Sequence, residues 1–258
     1  MQDIKDKIFE KIKIANSKRF LSNCYSFDVV AKCNNLWEID DGLIFSYEDH
    51  GIYRLIFFVK EWFLLEKLLL MIDTGKYFLE YMVKPSLDYK ISNAENIARM
   101  IRLSNLDCNS IFGIGSELLK YKGAVSVEKA TIADTETINK MLWATFHTEI
   151  SHLLYDDELR NKIENGCITI HRNNNSEIVA LLQAEVLPKK FYINQVINKA
   201  ERQVIHAIVL NRLEEYVSKG GKYIYSWVED NNIASIKFHK KYGMEEDGTV
   251  SMIYCIER

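Results

Sequence analysis

The chain has 258 residues, of which 48% are hydrophobic, 12% aromatic and 27% charged. That composition excludes disorder and supplies apolar side chains enough for one large domain or two ordinary ones. A formal net charge of −3 gives no general electrostatic reason to expect nucleic acid or an anionic membrane as a partner. Five cysteines, Cys24, Cys33, Cys108, Cys167 and Cys255, are scattered without a CxxC pair, and they read as reduced thiols of a cytoplasmic protein, with no metal site among them.

The first segment, MQDIKDKIFEKIKIANSKRF, alternates charged and apolar residues at helical spacing and lacks a secretory-type apolar stretch, which predicts a surface helix. In DGLIFSYEDHGIYRLIFFVK two apolar runs flank Glu48-Asp49-His50-Gly51, the pattern of a β-hairpin. The most apolar region, IYRLIFFVKEWFLLEKLLLMI, is interrupted by Arg54, Lys60, Glu61, Glu66 and Lys67. It offers no run of ~20 lipid-compatible residues and reads as a buried strand followed by a helix. KYFLEYMVK predicts a further strand ended by Pro85. SNAENIARMIRLSN, with Ser92 as cap and Glu95 three residues on, predicts a helix. Gly113, Gly115 and Gly123 mark turns, and the domain boundary is placed near Gly123, giving an α/β domain over 1–122 and a second domain over 123–258.

Beyond Gly123 the order is a strand over Val125 to Ala130, a helix, DTETINKMLWATFHTEI, capped by Asp134, and a second helix, DDELRNKIENG, stopped by Gly166. The strands CITIHR, EIVALLQAEV and KFYINQVIN follow, then a helix from about Ala200 to Ser218, the strand KYIYSWVE, the helix in NNIASIKFHKKYGM and the strand VSMIYCIE. This alternation predicts a mixed α/β sheet. Where FYINQVIN runs into the helix of KAERQVIHAIVL, the free N–H groups and positive dipole end of that helix make a site for phosphate oxygens. Lys199 and Arg202 add positive charge there. In the last helix Asp230, Asn231 or Asn232 can cap, Ile233 and Ile236 bury one side, and Gly243 stops it. A capped helix alone does not require the spacing of Asn232, Ser235, His239, Gly243 and Met244.

On those residues the chain resembles the GNAT superfamily of acyl-CoA-dependent N-acyltransferases. The late motif of that family runs Asn, Ala or Ser, an aliphatic residue, Tyr, a basic pair, Gly and Phe, and the counterparts here are Asn232, Ser235, Ile236, His239, Lys240-Lys241, Gly243 and Met244. The resemblance implies a GNAT-like fold in the C-terminal half, with the N-terminal half a degenerate copy that shapes the acceptor site or an interface. It implies acetyl-CoA held between FYINQVIN and KYIYSWVE by Val196, Asn198, Arg202, Gln203, Val204, Ile205, His206, Ala207, Asn232, Ser235 and His239, without a metal. The phosphate loop of the family reads here either as Glu201-x-x-Val204-x-His206 or as Arg202-x-x-Ile205-x-Ala207, and in both the first glycine is missing. Glycine serves there to let backbone approach the phosphates.

His239 stands where the family has the Tyr that protonates the leaving thiolate. An imidazole with a pKa near 6.5 can do the same at neutral pH, or it packs beside the cofactor. Glu185 and Glu229, at strand ends, are candidates for the general base, with His147 and His152 as further ones. The implied activity is transfer of an acetyl group to a small-molecule or peptide amine by direct attack in a ternary complex, by a cytoplasmic protein that can form a homodimer. The alternative is a non-catalytic GNAT-like binding or regulatory protein with an eroded coenzyme A site. A third reading, aminoacyl transfer from charged tRNA, has the net charge against it; neither nucleic acid nor membrane is expected.

Overall fold

A computed structural model describes the chain except for residues 1, 25, 27, 84–89, 114, 115 and 188 and the side chains of 2–4 and 16. The expected strand end at Pro85 and turn at Gly115 lie outside the described residues. The chain forms two compact units, one of Met1–Met100, Thr148–Ile150 and Thr249–Arg258, the other of Ile101–His147 and Ser151–Gly248. Gly123 lies inside the second.

The first unit contains α1 (Gln2–Ser17), β1 (Leu21–Ser22), α2 (Asp28–Ala31), β2 (Cys33–Ile39), β3 (Gly42–Asp49), β4 (Ile52–Val59), α3 (Trp62–Leu69) and β5 (Lys76–Val83). The expected hairpin is β3–β4, paired from Gly42↔Val59 to Asp49↔Ile52. Its two-residue turn, His50 and Gly51, has φ of +53° and +80°, the double positive φ whose twist matches that of the strands it joins. Both strands are buried on both faces. Leu43, Phe45, Tyr47, Ile56 and Phe58 pack with Ile8, Ile12 and Ala15 of α1, whereas Ile44, Leu55, Phe57 and Val59 pack with Leu65, Leu68 and Leu69 of α3. One stripe of the N-terminal helix is therefore core, and only its other sides are surface. Beside the turn, buried Arg54 donates to Asp49 at 2.6 Å and to the carbonyl of Thr148 at 2.5 Å. That charge-assisted pair attaches Thr148–Ile150 to this unit.

The sequence expectation of a helix in SNAENIARMIRLSN is corrected: Glu95–Asn105 is β6, an 11-residue strand. Ser92 caps no helix, and its hydroxyl donates to Glu66 at 2.7 Å. Apolar residues at 97, 98, 100, 101 and 103 satisfy a helical period as well as a strand. Strands hydrogen-bonded along both edges of β6 override the local preference.

The second unit contains β7 (Glu128–Lys129), α4 (Thr135–Thr145), α5 (Asp156–Glu164), β8 (Ile168–Arg172), β9 (Ile178–Leu187), β10 (Lys190–Asn198), α6 (Arg202–Ser218), β11 (Tyr223–Glu229) and α7 (Ile233–Lys240). The last strand, β12 (Glu245–Glu257), has residues in both units. β7, β8, β9 and β10 pair antiparallel in order, and β11 then pairs parallel with β10 through the crossover helix α6. Ile138, Met141, Leu142, Leu159 and Ile163 of α4 and α5 pack on Ile168, Ile170, Leu181 and Ile197. α6 packs against β8, β9 and β10 from the opposite side, with Val204 to Leu210 all buried. α4 stops at Thr145, short of the expected Ile150, because Phe146 is extended (φ −115°, ψ 144°).

Gly243 follows α7 with φ of +66°, and a Cβ there would lie 2.9 Å from Asn105 Nδ2, which donates to the Tyr242 carbonyl at 2.9 Å. Both backbone conformation and space demand glycine. Gly243→Ala is expected to lower unfolding free energy by about 1–2 kcal/mol from the left-handed conformation alone. Urea denaturation checks this, and an unchanged midpoint would show that the α7 end adjusts freely.

Candidate functional site

Parallel pairing between β10 and β11 runs from Lys190↔Tyr223 to Ile193↔Ser226 and stops there. At the same place the β9–β10 register shifts, leaving Asn194 as a bulge, a device that bends a strand away from its neighbour. Ser226 Oγ donates to the Ile193 carbonyl at 2.9 Å and closes the ladder at the point of divergence. Beyond it β10 continues to pair with β9 from Gln195↔Gln183 to Asn198↔Ala180. The amide of Lys199 donates to the Val179 carbonyl at 2.8 Å, so by strand alternation Ile197 and Gln195 also turn their backbone groups to β9. Val196 and Asn198 turn theirs to the open edge.

The Asn198 side chain bonds the loop that follows, accepting from the Ala200 amide at 3.3 Å and donating to the Ala200 carbonyl at 3.2 Å. α6 begins at Arg202, with Glu201 as N-cap and no side-chain cap bond. Helix geometry leaves the Arg202 and Gln203 amides without intrahelical acceptors. That of Val204 bonds the Glu201 carbonyl at 3.0 Å. Ile205, His206 and Ala207 lie further along the ladder with buried side chains. The aliphatic residues Val204 and Ile205 thus fill core, and the amides without intrahelical acceptors belong to the two residues before them. Glu201 accepts from Gln203 Nε2 at 2.7 Å and brings negative charge to the helix end where Lys199 and Arg202 bring positive.

In α7 the cap is Asn232, whose Oδ1 accepts from the Ser235 amide at 3.0 Å. Ile236 is half-buried, but Ile233 is 55% exposed and buries no face, a correction to the expected pattern. The turn that delivers Ile233, with Asn232 N–H on the Glu229 carbonyl at 2.9 Å, rotates it away from the sheet. His239 is 3% exposed. Its Nδ1 lies 2.8 Å from the Ser235 carbonyl, which can only accept, so Nδ1 carries the proton. Its buried Nε2 has no hydrogen-bond partner among the described residues. Burial pulls the imidazole from 6.5 down to about 4, so the expectation of a pKa near 6.5 is corrected: the ring is neutral at neutral pH.

His206, expected at the cofactor, sits with its ring between Tyr121 and Phe238, with centroids 5.0 and 5.2 Å away and near-parallel planes. Its Nδ1 meets Tyr242 Oη at 2.7 Å, and its Nε2 is buried without a hydrogen-bond partner among the described residues. Burial, then the charges of Lys241 and Arg202, bring its pKa to about 4. Sequence reasoning missed this aromatic stack, although Phe238 and Tyr242 flank His239 in the motif.

The remaining candidates fall elsewhere. Glu185 of β9 is half-buried and ion-paired with Lys162 of α5 at 2.6 Å. Glu229 ends β11, with Asn231 Nδ2 at 3.5 Å. His147 and His152 lie exposed between α4 and α5. Fully buried Gln183, opposite Gln195 beside the bulge, has neither amide atom hydrogen-bonded among the described residues, and no sequence pattern marked it. Among the described residues no group of three or more His, Cys, Asp or Glu is arranged to hold a metal, and no helix is long and apolar enough to cross a membrane.

No protein-family model matches the sequence, and no curated protein matches it either. Solved structures do resemble the fold. A GCN5-related N-acetyltransferase from Sphaerobacter thermophilus aligns over 84% of this chain and 76% of its own, with a TM-score of 0.60 and 8% identity. A tandem GNAT protein from the clavulanic acid biosynthesis pathway aligns over 84% and 78%, with a TM-score of 0.54 and 11% identity. At such identities the likeness is one of fold.

The two buried histidines make a pH test. A group whose pKa is about 4 folded and 6.5 unfolded takes its proton first in the unfolded chain, so stability is complete above pH 6.5 and falls as pH drops from 6.5 toward 4. Each pH unit in that window removes up to about 1.4 kcal/mol per histidine. Urea midpoints at pH 7 and pH 5 measure the loss, and His239→Phe should reduce it. Equal midpoints would contradict the burial of both rings.

Proposed function

We propose that this chain, which has the fold of the GNAT N-acetyltransferases, moves an acyl group from acyl-CoA, in the first instance acetyl-CoA, to an amine. The open edge of β10 carries this reading. Val196 and Asn198 turn backbone N–H and C=O groups toward the gap left by β11. An extended ligand with amide groups, such as the pantetheine arm of coenzyme A, pairs there as a missing strand would. The Arg202 and Gln203 amides at the start of α6, with the charges of Lys199 and Arg202, suit the phosphates that follow along the same ligand.

In this reading the neutral amine attacks the thioester carbonyl carbon in a ternary complex. The C–N bond forms, the C–S bond breaks, one proton leaves nitrogen and one reaches sulfur. Neutral His239, with Nδ1–H committed to the Ser235 carbonyl and Nε2 free to accept, suits the relay of that proton from nitrogen to sulfur. An imidazolium with a pKa of about 4 returns its proton readily to a departing thiolate. Glu185 and Glu229 remain candidates for taking a proton from the incoming ammonium. A second reading, a non-catalytic binding module, draws support from Glu201 at the phosphate end and from the engagement of Glu185 with Lys162.

Acetyl-CoA at a hundred times its Kd should stabilise the fold by about 2.7 kcal/mol; no melting shift at millimolar ligand would sink the donor reading. Val196→Pro deletes an amide that faces the gap and not β9, so it should weaken coenzyme A binding about tenfold, as for a lost hydrogen bond of about 1.4 kcal/mol, with the fold kept. His239→Phe should cut turnover by about 10²-fold with coenzyme A affinity unchanged. Binding without turnover in the wild type, across a panel of amines, would favour the non-catalytic module.

A further inference from the structure

Each unit contains a parallel strand pair joined by a helix, and in each the pair diverges. In the second unit β10 and β11 part after Ile193↔Ser226. In the first, β4 and β5 pair, among the described residues, only at Tyr53↔Tyr77 and Arg54↔Phe78, with α3 as the connection and β3 on the far edge of β4, as β9 is on that of β10. The gap between β4 and β5, however, is occupied by the chain itself. Asn23 is 2% exposed. Its Nδ2 donates to the Leu55 carbonyl at 2.9 Å and the Glu80 carbonyl at 2.7 Å, and its Oδ1 accepts from the Phe57 amide at 2.8 Å. Just before it, β1 lies antiparallel on the rest of β4, Leu21 opposite Val59 and Ser22 opposite Phe58.

The β4 edge is thus satisfied in succession by β5, by one carboxamide and by β1. Leu55 and Phe57 stand on β4 as Val196 and Asn198 stand on β10, turned to the gap beyond the point of divergence. A primary carboxamide has two N–H donors and an acceptor oxygen, and in Asn23 both N–H groups and the oxygen are engaged. These are the bonds an extended, amide-bearing ligand would make between two diverging strands. The side chain also bridges the pair, with one donor bond to β4 and the other to β5.

We infer that the gap between β4 and β5 is a ligand cleft filled from within, Asn23 standing in for the amide of an extended ligand, so that the chain takes acyl-CoA at the β10–β11 cleft alone. The count of one rests on the donor reading of β10–β11; the filling of the first cleft does not. Asn23 is also specific as a residue type. Aspartate would keep the bond from the Phe57 amide but would place a charged acceptor against the Leu55 and Glu80 carbonyls.

The full chain tests this with calorimetric titration of acetyl-CoA and with thermal melts of Asn23→Asp and Asn23→Gly. The wild type should bind one equivalent, and Asn23→Asp should melt well below it while acetyl-CoA affinity at the second unit stays within about twofold, as for independent sites. Asn23→Gly should also melt lower and recover part of the loss in added acetamide, which supplies the missing carboxamide, by more than acetamide shifts the wild type. Two equivalents on the wild type would overturn the inference, as would an Asn23→Asp melt equal to wild type or an identical acetamide response in Asn23→Gly and wild type. If Asn23→Asp does not fold, Asn23→Gly decides. If the wild type binds none, the donor reading fails instead, and the melts alone judge whether Asn23 fills the first cleft.

Discussion

Backbone N–H and C=O groups inside a sheet must find partners, and two strands that diverge cannot supply them to each other. In the second unit that constraint arises at Ile193 and Ser226, where the Asn194 bulge bends β10 and the Ser226 hydroxyl makes the last bond between the strands. The surrounding elements suit a strand edge left open at this point. β9 holds β10 in register on its other side, α6 starts four residues after the strand ends, and α7 follows β11 after a short turn. In the first unit the same constraint is met by a side chain, with Asn23 bonded to both strands. One topological unit thus reaches two outcomes according to whether the chain satisfies its own edge.

Electrostatics at the start of α6 are mixed, and the two buried imidazoles near α7 add no charge of their own. Around the start of α6, Lys199 and Arg202 favour an anion and Glu201 opposes it, so the outward amides and the helix dipole carry more of the preference than net charge does. Near α7 the two imidazoles are held neutral by burial. A neutral imidazole keeps a lone pair that can accept a proton. The Tyr121, His206, Phe238 and Tyr242 stack packs the underside of α7 against α6, which fixes the helix that carries His239.

The aliphatic residues at the start of α6, where the resemblance implies glycine, have a packing explanation. α6 is buried along seven consecutive residues, Val204 to Leu210, and glycine there would cost both apolar contact and helix propensity. With Arg202 as the first helical residue, amides that face outward precede the bulky ones. A bulky side chain in the next turn does not by itself obstruct a ligand at the helix end.

Much of this was legible in the sequence because it is local. The period of two in KFYINQVIN and KYIYSWVE, the helix between them, the turn at His50-Gly51, and the Asn232 cap and Gly243 stop of α7 each depend on residues within a few positions of one another. The spacing of Asn232, Ser235, His239 and Gly243 was visible for the same reason, and so the kind of fold was. What only the tertiary structure decided is set by partners distant in sequence. Glu95–Asn105 became a strand because strands flank both its edges, His239 became neutral because packing removes water from it, Ile233 turned outward, and Asn23 reached across to Leu55 and Glu80. Strand register, desolvation and the filling of a gap are properties of surfaces brought together by folding, and no periodicity along the chain encodes which distant residue will supply the missing hydrogen bond.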